Sequence, residues 1–294
     1  MRRLEQTQRR SVGRRWGLTA VAVVGALLLS GCGEAVSRGF LPEPITQEGP
    51  ELVSFWNGTW IAALGIGAMM WGLILWCVFA YRRKHEDEIP TQFRYHVPFE
   101  ILYTIVPILM VATLFGQTVK VENTMLNIEE NPDVVVNVAG KKWSWDFNYV
   151  NEDVYDAGLQ ANALNEGLEG LPETLPTLVL PVDSRVEFVL TSRDVIHSFW
   201  VPQFLIKMDM LPGRVNILQV TTTQEGTFHG KCAELCGAYH AEMLFNVSVV
   251  SQEEYDAHIQ SLRDAGQTGQ LGTELDQYEL QVDQVDRMPE GSSN

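Results

Sequence analysis

Two long stretches of this sequence carry almost no charge, and they constrain the fold more than any other feature. Residues 56–81 contain no charged side chain across 26 positions, and residues 99–119 contain one, Glu100. As helices, both are long enough to cross a hydrocarbon core of about 30 Å. Buried helices of a soluble domain are the alternative, but an uncharged run that ends in three consecutive basic residues favours a membrane span. The sequence therefore predicts a transmembrane hairpin at 55–120, with helices at about these two stretches.

The segment between the two stretches sets the predicted orientation. Residues 82–98 contain four basic side chains: Arg82, Arg83, Lys84 and Arg94. Because basic loops tend to stay in the cytoplasm, this loop is expected inside. Both flanks of the hairpin then lie outside, so residues 32–54 and all residues after 120 are expected to be extracytoplasmic. The prediction is a multi-pass protein of the cell membrane with both termini outside.

The N-terminus has the pattern of an export signal. Residues 1–15 contain six arginines and one acid, and the apolar run 16–29 that follows is too short to span a bilayer comfortably. A basic start, a short apolar run and small residues before a cleavage point predict a signal peptide at 1–31. Cys32, directly after Leu-Ser-Gly, resembles the bacterial lipobox, which predicts a lipidated first residue of the mature chain. The alternative is an uncleaved first membrane helix with an incidental cysteine.

The part of the chain after the hairpin is strongly acidic. Residues 121–294 contain nine Lys and Arg residues against 28 Asp and Glu residues, a formal charge of −19, whereas the whole chain carries −16. Such a surface cannot neutralise phosphates, which excludes a nucleic-acid binder. It suits a cationic partner instead. Four cysteines in 294 residues are too few for a disulfide scaffold.

Short β-rich runs follow the hairpin. Six runs rich in Val, Phe and Tyr are separated by Pro, Gly, Asp and Asn: 134–139, 143–150, 177–182, 186–190, 215–222 and 244–250. This pattern predicts a small antiparallel sandwich or barrel at about 121–260. Residues 151–176 have no clear periodicity and are predicted to be an insertion. Residues 261–294 are predicted to be a polar, acidic tail, poorly ordered after Ala265.

One short string carries the sharpest chemical signal. Cys232, Cys236, His240 and Met243 fall within twelve residues, and His197 lies upstream in the predicted β-domain. Thiolate, thioether and imidazole together are a soft ligand set that favours copper. Two thiolates, two imidazoles and one thioether suit two coppers that share both sulfurs better than one copper with a spare cysteine.

Three other interpretations of this string stay open. The Cys-x3-Cys pair could form a disulfide outside the cytoplasm. The two cysteines and two histidines could bind zinc, although zinc usually takes Cys-x2-Cys spacing and has no use for Met243. A membrane-anchored copper-delivery or thiol-redox protein also uses Cys-x3-Cys with a distant histidine, but it does not need His240 and Met243 after it.

Over about residues 52–260, the hairpin followed by this string resembles subunit 2 of the haem–copper cytochrome c oxidases. The lipobox and the acidic insertion look more like the form from high-GC Gram-positive bacteria. The resemblance implies a membrane-anchored all-β chain: a two-helix transmembrane hairpin plus an extracytoplasmic, cupredoxin-like Greek-key β-barrel. It also implies a dinuclear copper centre, Cu-A. The related subunit of quinol oxidases has lost the copper ligands, so their presence favours a cytochrome donor.

The function implied by the resemblance is electron input to a proton-pumping oxidase. A c-type cytochrome, soluble or bound in a supercomplex, would reduce Cu-A. Electrons would then pass to haem in subunit 1, where oxygen is reduced to water. The partners implied are subunit 1, the other oxidase subunits, the cytochrome and membrane lipid.

The resemblance also implies roles for individual residues. Six residues would bind copper, the last through its backbone carbonyl: Cys232, Cys236, His197, Met243, His240 and Glu234. Both cysteines would bridge the two coppers. His197 and Met243 would complete one copper, and His240 with the Glu234 carbonyl would complete the other. The Glu234 carboxylate would bind a magnesium ion shared with subunit 1, which is chemically sensible because magnesium prefers hard carboxylate ligands.

Two further residues have implied roles outside the copper centre. Trp143 falls where the family has the tryptophan through which electrons enter, although alternation puts it on one face with Trp145 and by itself favours a core position. Ser144 and Phe147 depart from the family's aromatic pattern. Glu100 matches the glutamate at the mouth of a proton-uptake channel; its alternative role is a carboxylate that merely reaches the membrane interface.

Overall fold

The computed structural model describes residues 33–83, 89, 92–159 and 175–277. The predicted signal peptide and Cys32 lie outside the described residues, as do most of the predicted insertion and the chain from residue 278 onward. The chain divides into two compact units, Met1–Pro42 and Glu43–Asn294. In the described part of the first unit, helix α1 spans Gly33–Ser37.

The two apolar stretches form long helices. Helix α2 spans Gly49–Ala80 and helix α3 spans Val97–Met125. With 32 and 29 residues, both are long and apolar enough to cross a membrane, and their most apolar windows are not buried within the chain. The outer end of each helix extends beyond the predicted bounds. These extensions, residues 49–55 and 120–125, contain polar side chains. They remain helical, but they need not lie in hydrocarbon.

Ten strands follow in the described residues between 134 and 250. In chain order they are β1 Val134–Lys141, β2 Ser144–Tyr149, β3 Val154–Ala157, β4 Thr177–Pro181, β5 Arg185–Ser192, β6 His197–Val201, β7 Ile206–Met210, β8 Asn216–Thr221, β9 Gly226–Cys232 and β10 Leu244–Val250. They form two five-stranded sheets, with strand orders β3-β2-β1-β5-β8 and β4-β10-β9-β6-β7. Strand β3 lies within the stretch predicted to be an insertion.

The expectation of an antiparallel sandwich or barrel built from six runs differs from the structure in two respects. Four strands, β3, β6, β7 and β9, lie outside the predicted runs, and some neighbouring strands are parallel. Each sheet contains one parallel pair, β1 with β5 and β4 with β10. The members of each pair are not consecutive in the chain, and the chain crosses to the other sheet between them. Parallel neighbours need such a crossover connection, which the alternation pattern of a single strand does not reveal.

Aromatic side chains from both sheets fill the space between them. Trp145 on β2 lies 5.0 Å from Phe245 on β10, measured between ring centroids, and Phe199 on β6 stacks on Phe245 at 5.3 Å. All three side chains are fully buried. Large aromatic rings bury much apolar area each, so this cluster is a major source of the free energy that holds the sheets together.

Strand β2 is buried on both faces. Its sequence alternates, and Trp145 and Phe147 lie on the core face. On the opposite face, Ser144, Asp146 and Asn148 are buried as well. A strand of a two-layer sandwich normally exposes its outer face to water. Another segment of the chain must therefore cover the outer face of β2.

The cover comes from the end of the described chain. Helix α4, Gln252–Asp264, begins with a capping box formed by Ser251 and Glu254, and residues 266–277 then run back along the first sheet. The expectation that the chain is poorly ordered after Ala265 is therefore wrong for residues 266–277. The composition suggested disorder because these residues are polar, but their backbone groups find partners on the sheet, which composition cannot reveal.

Both ends of the hairpin meet the β-domain at Arg185. Its guanidinium group, at the start of β5, forms an ion pair with Glu48, just before α2. It also donates to the carbonyl of Asn127, just after α3, at 2.6 Å. The backbone of Gln47 donates to the carbonyl of Thr221 on β8. These contacts join the outer ends of the helices to the first sheet.

Candidate metal centre

The residues of the predicted copper string meet at one end of the second sheet. Cys232 ends β9 and His197 begins β6, its neighbour in that sheet. Cys236 and His240 lie in the loop after β9, and Met243 directly precedes β10. Strand pairing therefore brings the upstream histidine to the cysteine string.

The five side chains form a compact cluster. The two sulfurs of Cys232 and Cys236 are 3.9 Å apart. The Nδ1 atom of His197 lies 3.8 Å from the Cys232 sulfur, and the Nδ1 atom of His240 lies 3.6 Å from the Cys236 sulfur. The Met243 sulfur lies 3.7 Å from that of Cys236. The Glu234 carbonyl oxygen, in the same loop, is 3.1 Å from the Cys232 sulfur.

This geometry fits metal ions held between the sulfurs. Metal–thiolate bonds are about 2.3 Å long, so two sulfurs up to about 4.6 Å apart can share an ion. The ligand atoms of His197, Cys232 and Cys236 all lie within 4.8 Å of one another. The same distances argue against a disulfide, whose sulfur–sulfur bond is about 2.05 Å long. The buried Met243 thioether beside Cys236 favours copper over zinc.

Asp194 supports the cluster, and sequence reasoning missed it. Its Oδ1 atom lies 2.8 Å from Nε2 of His197, so the other ring nitrogen, Nδ1, faces the sulfurs. A carboxylate behind a metal-binding histidine fixes the tautomer and the ring orientation. Gly140 completes the support, because a Cβ atom there would lie 3.0 Å from the His197 ring. The signal that could have revealed Asp194 is an acid three residues before the histidine.

The electrostatics of the cluster make the two thiols unequal. Burial alone would raise the pKa of Cys232, but hydrogen bonds with His197 and with nearby backbone groups hold it below its usual range, at about 7. Burial and the adjacent Cys232 raise the pKa of Cys236 to about 12. For Asp194, burial opposes ionisation, but the hydrogen bonds with His197 and two backbone amides outweigh it and lower the pKa. Without a cation, the site can therefore hold one thiolate far more easily than two, and a bound cation would stabilise the second.

Trp143 lies beside this cluster and outside strand β2. The strand begins at Ser144, so alternation does not extend to Trp143, which is half-buried while Trp145 is fully buried. The indole Nε1 of Trp143 donates to the carbonyl of Cys236 at 3.2 Å. The ring rests on Gly237, which has a φ of +125° and where a Cβ atom would lie 3.1 Å from the ring.

Glu234 and Glu100, the two glutamates with predicted roles, lie in different parts of the structure. The Glu234 side chain is exposed next to the cysteines. Glu100 lies in the first turn of α3, where its carboxylate accepts from the backbone amide of His96 at 2.8 Å. That contact caps the helix, since an acidic side chain at a helix N-terminus satisfies an otherwise unpaired donor.

Comparison with known proteins places the chain in a family. The sequence profile described as "Cytochrome C oxidase subunit II, periplasmic domain" matches residues 134–250. The chain is 46% identical to the probable cytochrome c oxidase subunit 2 of Streptomyces avermitilis, over 78% of this chain and 80% of the relative. The chain belongs to the cytochrome c oxidase subunit 2 family. It is also 33% identical to cytochrome c oxidase subunit 2 of Mycobacterium tuberculosis, over 96% of this chain and 93% of the relative.

Membership of the cytochrome c oxidase subunit 2 family confirms the resemblance stated from the sequence, including its link to high-GC Gram-positive bacteria. It identifies the two-sheet domain as cupredoxin-like and the chain as the electron-input subunit of an oxidoreductase complex. Among solved structures, the periplasmic domain of subunit II of the Bradyrhizobium japonicum cytochrome oxidase is similar. It has 29% sequence identity and a TM-score of 0.43, over 47% of this chain and 99% of that one.

Proposed function

We propose that this subunit holds the dinuclear Cu-A centre and accepts electrons there from a c-type cytochrome. The observation that carries the proposal is the five-residue cluster. Two cysteine sulfurs 3.9 Å apart are flanked by two imidazole nitrogens and one thioether, each within 3.8 Å of a sulfur. The assignment of His197 with Met243 to one copper, and of His240 with the Glu234 carbonyl to the other, stays a prediction.

The residues around the cluster hold the ligand side chains in position before a metal binds. Cys232 is held at the end of β9 by backbone bonding to Met243, and Asp194 fixes the His197 ring. When bound, a copper pair that shares two sulfurs supplies one-electron redox chemistry with little rearrangement of its ligands. The chain's contribution is the rigid arrangement of these ligands and their shielding from water.

Trp143 is proposed to be the contact through which electrons enter. Its ring is partly exposed, and its indole N–H reaches the backbone of a proposed ligand, Cys236. Tyr239 packs edge-on against the ring at 4.9 Å between centroids and holds it in place. A donor bound over Trp143 would therefore contact the cluster through one side chain and one hydrogen bond. The charge of −19 on residues 121–294 favours a basic donor through electrostatic steering.

The remaining assignments are part of the same proposal. The exposed Glu234 carboxylate would bind magnesium together with subunit 1, and Glu100 would lie at the mouth of a proton-uptake channel. The chain would be anchored by lipid at Cys32, after removal of 1–31. The basic loop 82–98 would be cytoplasmic, with the rest of the mature chain outside.

Counting copper in the purified oxidase tests the proposal. We expect two copper ions per copy of this subunit, beyond the copper of subunit 1. We also expect the near-infrared absorption and electron paramagnetic resonance signal of a mixed-valence copper pair. One copper ion per copy, without the mixed-valence signal, would instead indicate a copper-delivery or thiol-redox role and would contradict the proposal.

Replacing Asp194 with asparagine should weaken copper binding without unfolding the domain. Asparagine retains the size of the side chain but removes the charge that stabilises the protonated Nε2 of His197. Changes at such supporting carboxylates reduce metal affinity by about 10- to 100-fold. The measurement is competition for copper with a chelator.

Asp183→Asn is the matched control. Asp183 is an exposed residue with a positive φ of 54°, which asparagine tolerates well. This control is expected to bind copper like the wild type. Equal copper affinity for the Asp194→Asn and Asp183→Asn variants would remove Asp194 from the supporting role.

A further inference from the structure

We infer that residues 266–277 form a strap that positions the proposed copper ligand His197 by way of Arg193 and Asp194. This stretch lies beyond the part of the chain that the family profile matches, which ends at residue 250. The inference rests on the proposed copper function, and it assigns a positioning role to a segment whose composition suggested a loose tail.

The strap is bonded to the first sheet along its length. The backbone of Gly269 donates to the Asp153 carbonyl at 2.8 Å, next to β3. Further along, the Asn148 side chain on β2 accepts from the Leu271 amide at 2.9 Å and donates to the Leu271 carbonyl at 3.1 Å. Such paired bonding to one residue fixes the register of the strap against the sheet.

Arg193 joins the strap to the sheet. Its Nε donates to Asp146 on β2 at 3.1 Å, while its Nη1 pairs with Asp276 at 2.9 Å and donates to the Gly272 carbonyl at 3.0 Å. The side chains of Arg193, Asp146 and Asp276 are at most 7% exposed. The backbone takes part too, because the Gln277 amide donates to the Arg193 carbonyl at 2.8 Å.

Asp194, the residue after Arg193, holds the proposed copper ligand His197 in place. Asp194 bonds Nε2 of His197 through one oxygen and accepts from the Lys142 amide at 2.7 Å through the other. Lys142 directly precedes Trp143. The short connection 193–196 between β5 and β6 is therefore bonded to the strap through Arg193, and to His197 and the residue before Trp143 through Asp194.

The buried charges make this link sensitive to the strap. The side chains of Arg193 and Asp276 are both buried. The free-energy cost of removing their charges from water is therefore offset only while the two are paired. If Asp276 loses its charge, the guanidinium group keeps Asp146 but loses its charged partner on the strap, and its movement shifts the backbone at Arg193. That movement is passed to Asp194 and then to the ring of His197.

The test uses the purified oxidase complex with the full-length subunit, comparing wild type, Asp276→Asn and Glu274→Gln. Glu274 is an exposed acid of the same segment and is not an ion-pair partner of Arg193, so its variant removes the same charge and leaves the Arg193–Asp276 pair in place. The first readout is the rate of copper loss to a chelator, with the near-infrared spectrum and midpoint potential of the centre. The second is amide hydrogen exchange of residues 192–198, measured in the copper-free complex so that copper occupancy does not affect it.

For Asp276→Asn we expect copper loss faster by about tenfold, at the low end of what supporting residues cause. We also expect a shifted spectrum or potential and faster exchange in 192–198. The Glu274→Gln complex should match the wild type. Arg193→Lys, which keeps the charge but lacks the forked donors, is a second variant with the same expected direction if the Asp276→Asn complex does not accumulate.

Two results would overturn the inference. One is an Asp276→Asn complex with unchanged copper loss, spectrum, potential and exchange. The other is a complex with a lower melting temperature alone, which would show a purely structural role. A wild-type complex without the two-copper signal would contradict the proposed function instead, and the exchange measurement would still decide whether the strap positions the loop.

Discussion

Replacing Cys236 with serine is expected to abolish the two-copper centre. Cys236 is the sulfur beside which both His240 and Met243 lie, at 3.6 and 3.7 Å. Serine retains the size of the side chain, but its hard, protonated oxygen is a poor ligand for copper. We expect at most one copper per copy of the subunit, no mixed-valence signal, and a fall in cytochrome c oxidation of about a hundredfold or more, as when one member of a cooperating unit is lost.

Cys77→Ser provides the control for chemistry at cysteine. Cys77 lies in helix α2, on a surface that is exposed in the isolated chain. Its replacement by serine should leave copper content, spectrum and turnover unchanged. Metal analysis and near-infrared absorption of both purified variants test whether only the Cys236→Ser variant loses the two-copper centre. A Cys236→Ser complex with two coppers and a normal spectrum would contradict the proposed ligand set.

Replacing Trp143 with alanine is expected to slow electron input while leaving the copper centre intact. The substitution removes the partly exposed ring and its hydrogen bond to the Cys236 carbonyl, but none of the proposed ligands. An aromatic residue at the centre of an interface typically contributes about 2 kcal/mol or more, which corresponds to about thirtyfold in kcat/KM. We therefore expect at least that loss in stopped-flow oxidation of the cytochrome.

Trp143→Phe separates the two contributions of the side chain. Phenylalanine keeps an aromatic surface but cannot donate a hydrogen bond, so its activity should lie between those of the wild type and the alanine variant. Oxygen reduction driven by a small chemical reductant, which does not need the docking surface, should change little in either variant. If Trp143→Ala oxidised cytochrome c at the wild-type rate, Trp143 would not be the site of electron input.

Much of the candidate site was predictable because its residues lie close together in the sequence. Cys232 ends β9, and Cys236, His240 and Met243 all lie in the loop between β9 and β10. Their spacing therefore carries the chemistry with little help from the fold. The transmembrane hairpin was predictable for a similar reason, since hydropathy over about 20 residues is enough to recognise a span.

The supporting contacts were not predictable in this way. Asp146 and Arg193 are 47 residues apart, and Arg193 and Asp276 are 83 residues apart. Each of these charged side chains looks like an ordinary surface residue in the sequence. Only strand pairing within the first sheet and the return of residues 266–277 over that sheet bury them together, and a local pattern contains no information about either.

By itself, the sequence determined the membrane hairpin, the β-rich character of the outer domain and the soft ligands of the metal centre. All three are properties of short windows: apolar length, strand composition and ligand spacing. The tertiary structure alone decided that Trp143, just before β2, donates a hydrogen bond to the carbonyl of Cys236, 93 residues away, and that the polar residues 266–277 cover β2. The physical reason is that these contacts depend on strand order and register across two sheets, which are set by the packing of the whole domain.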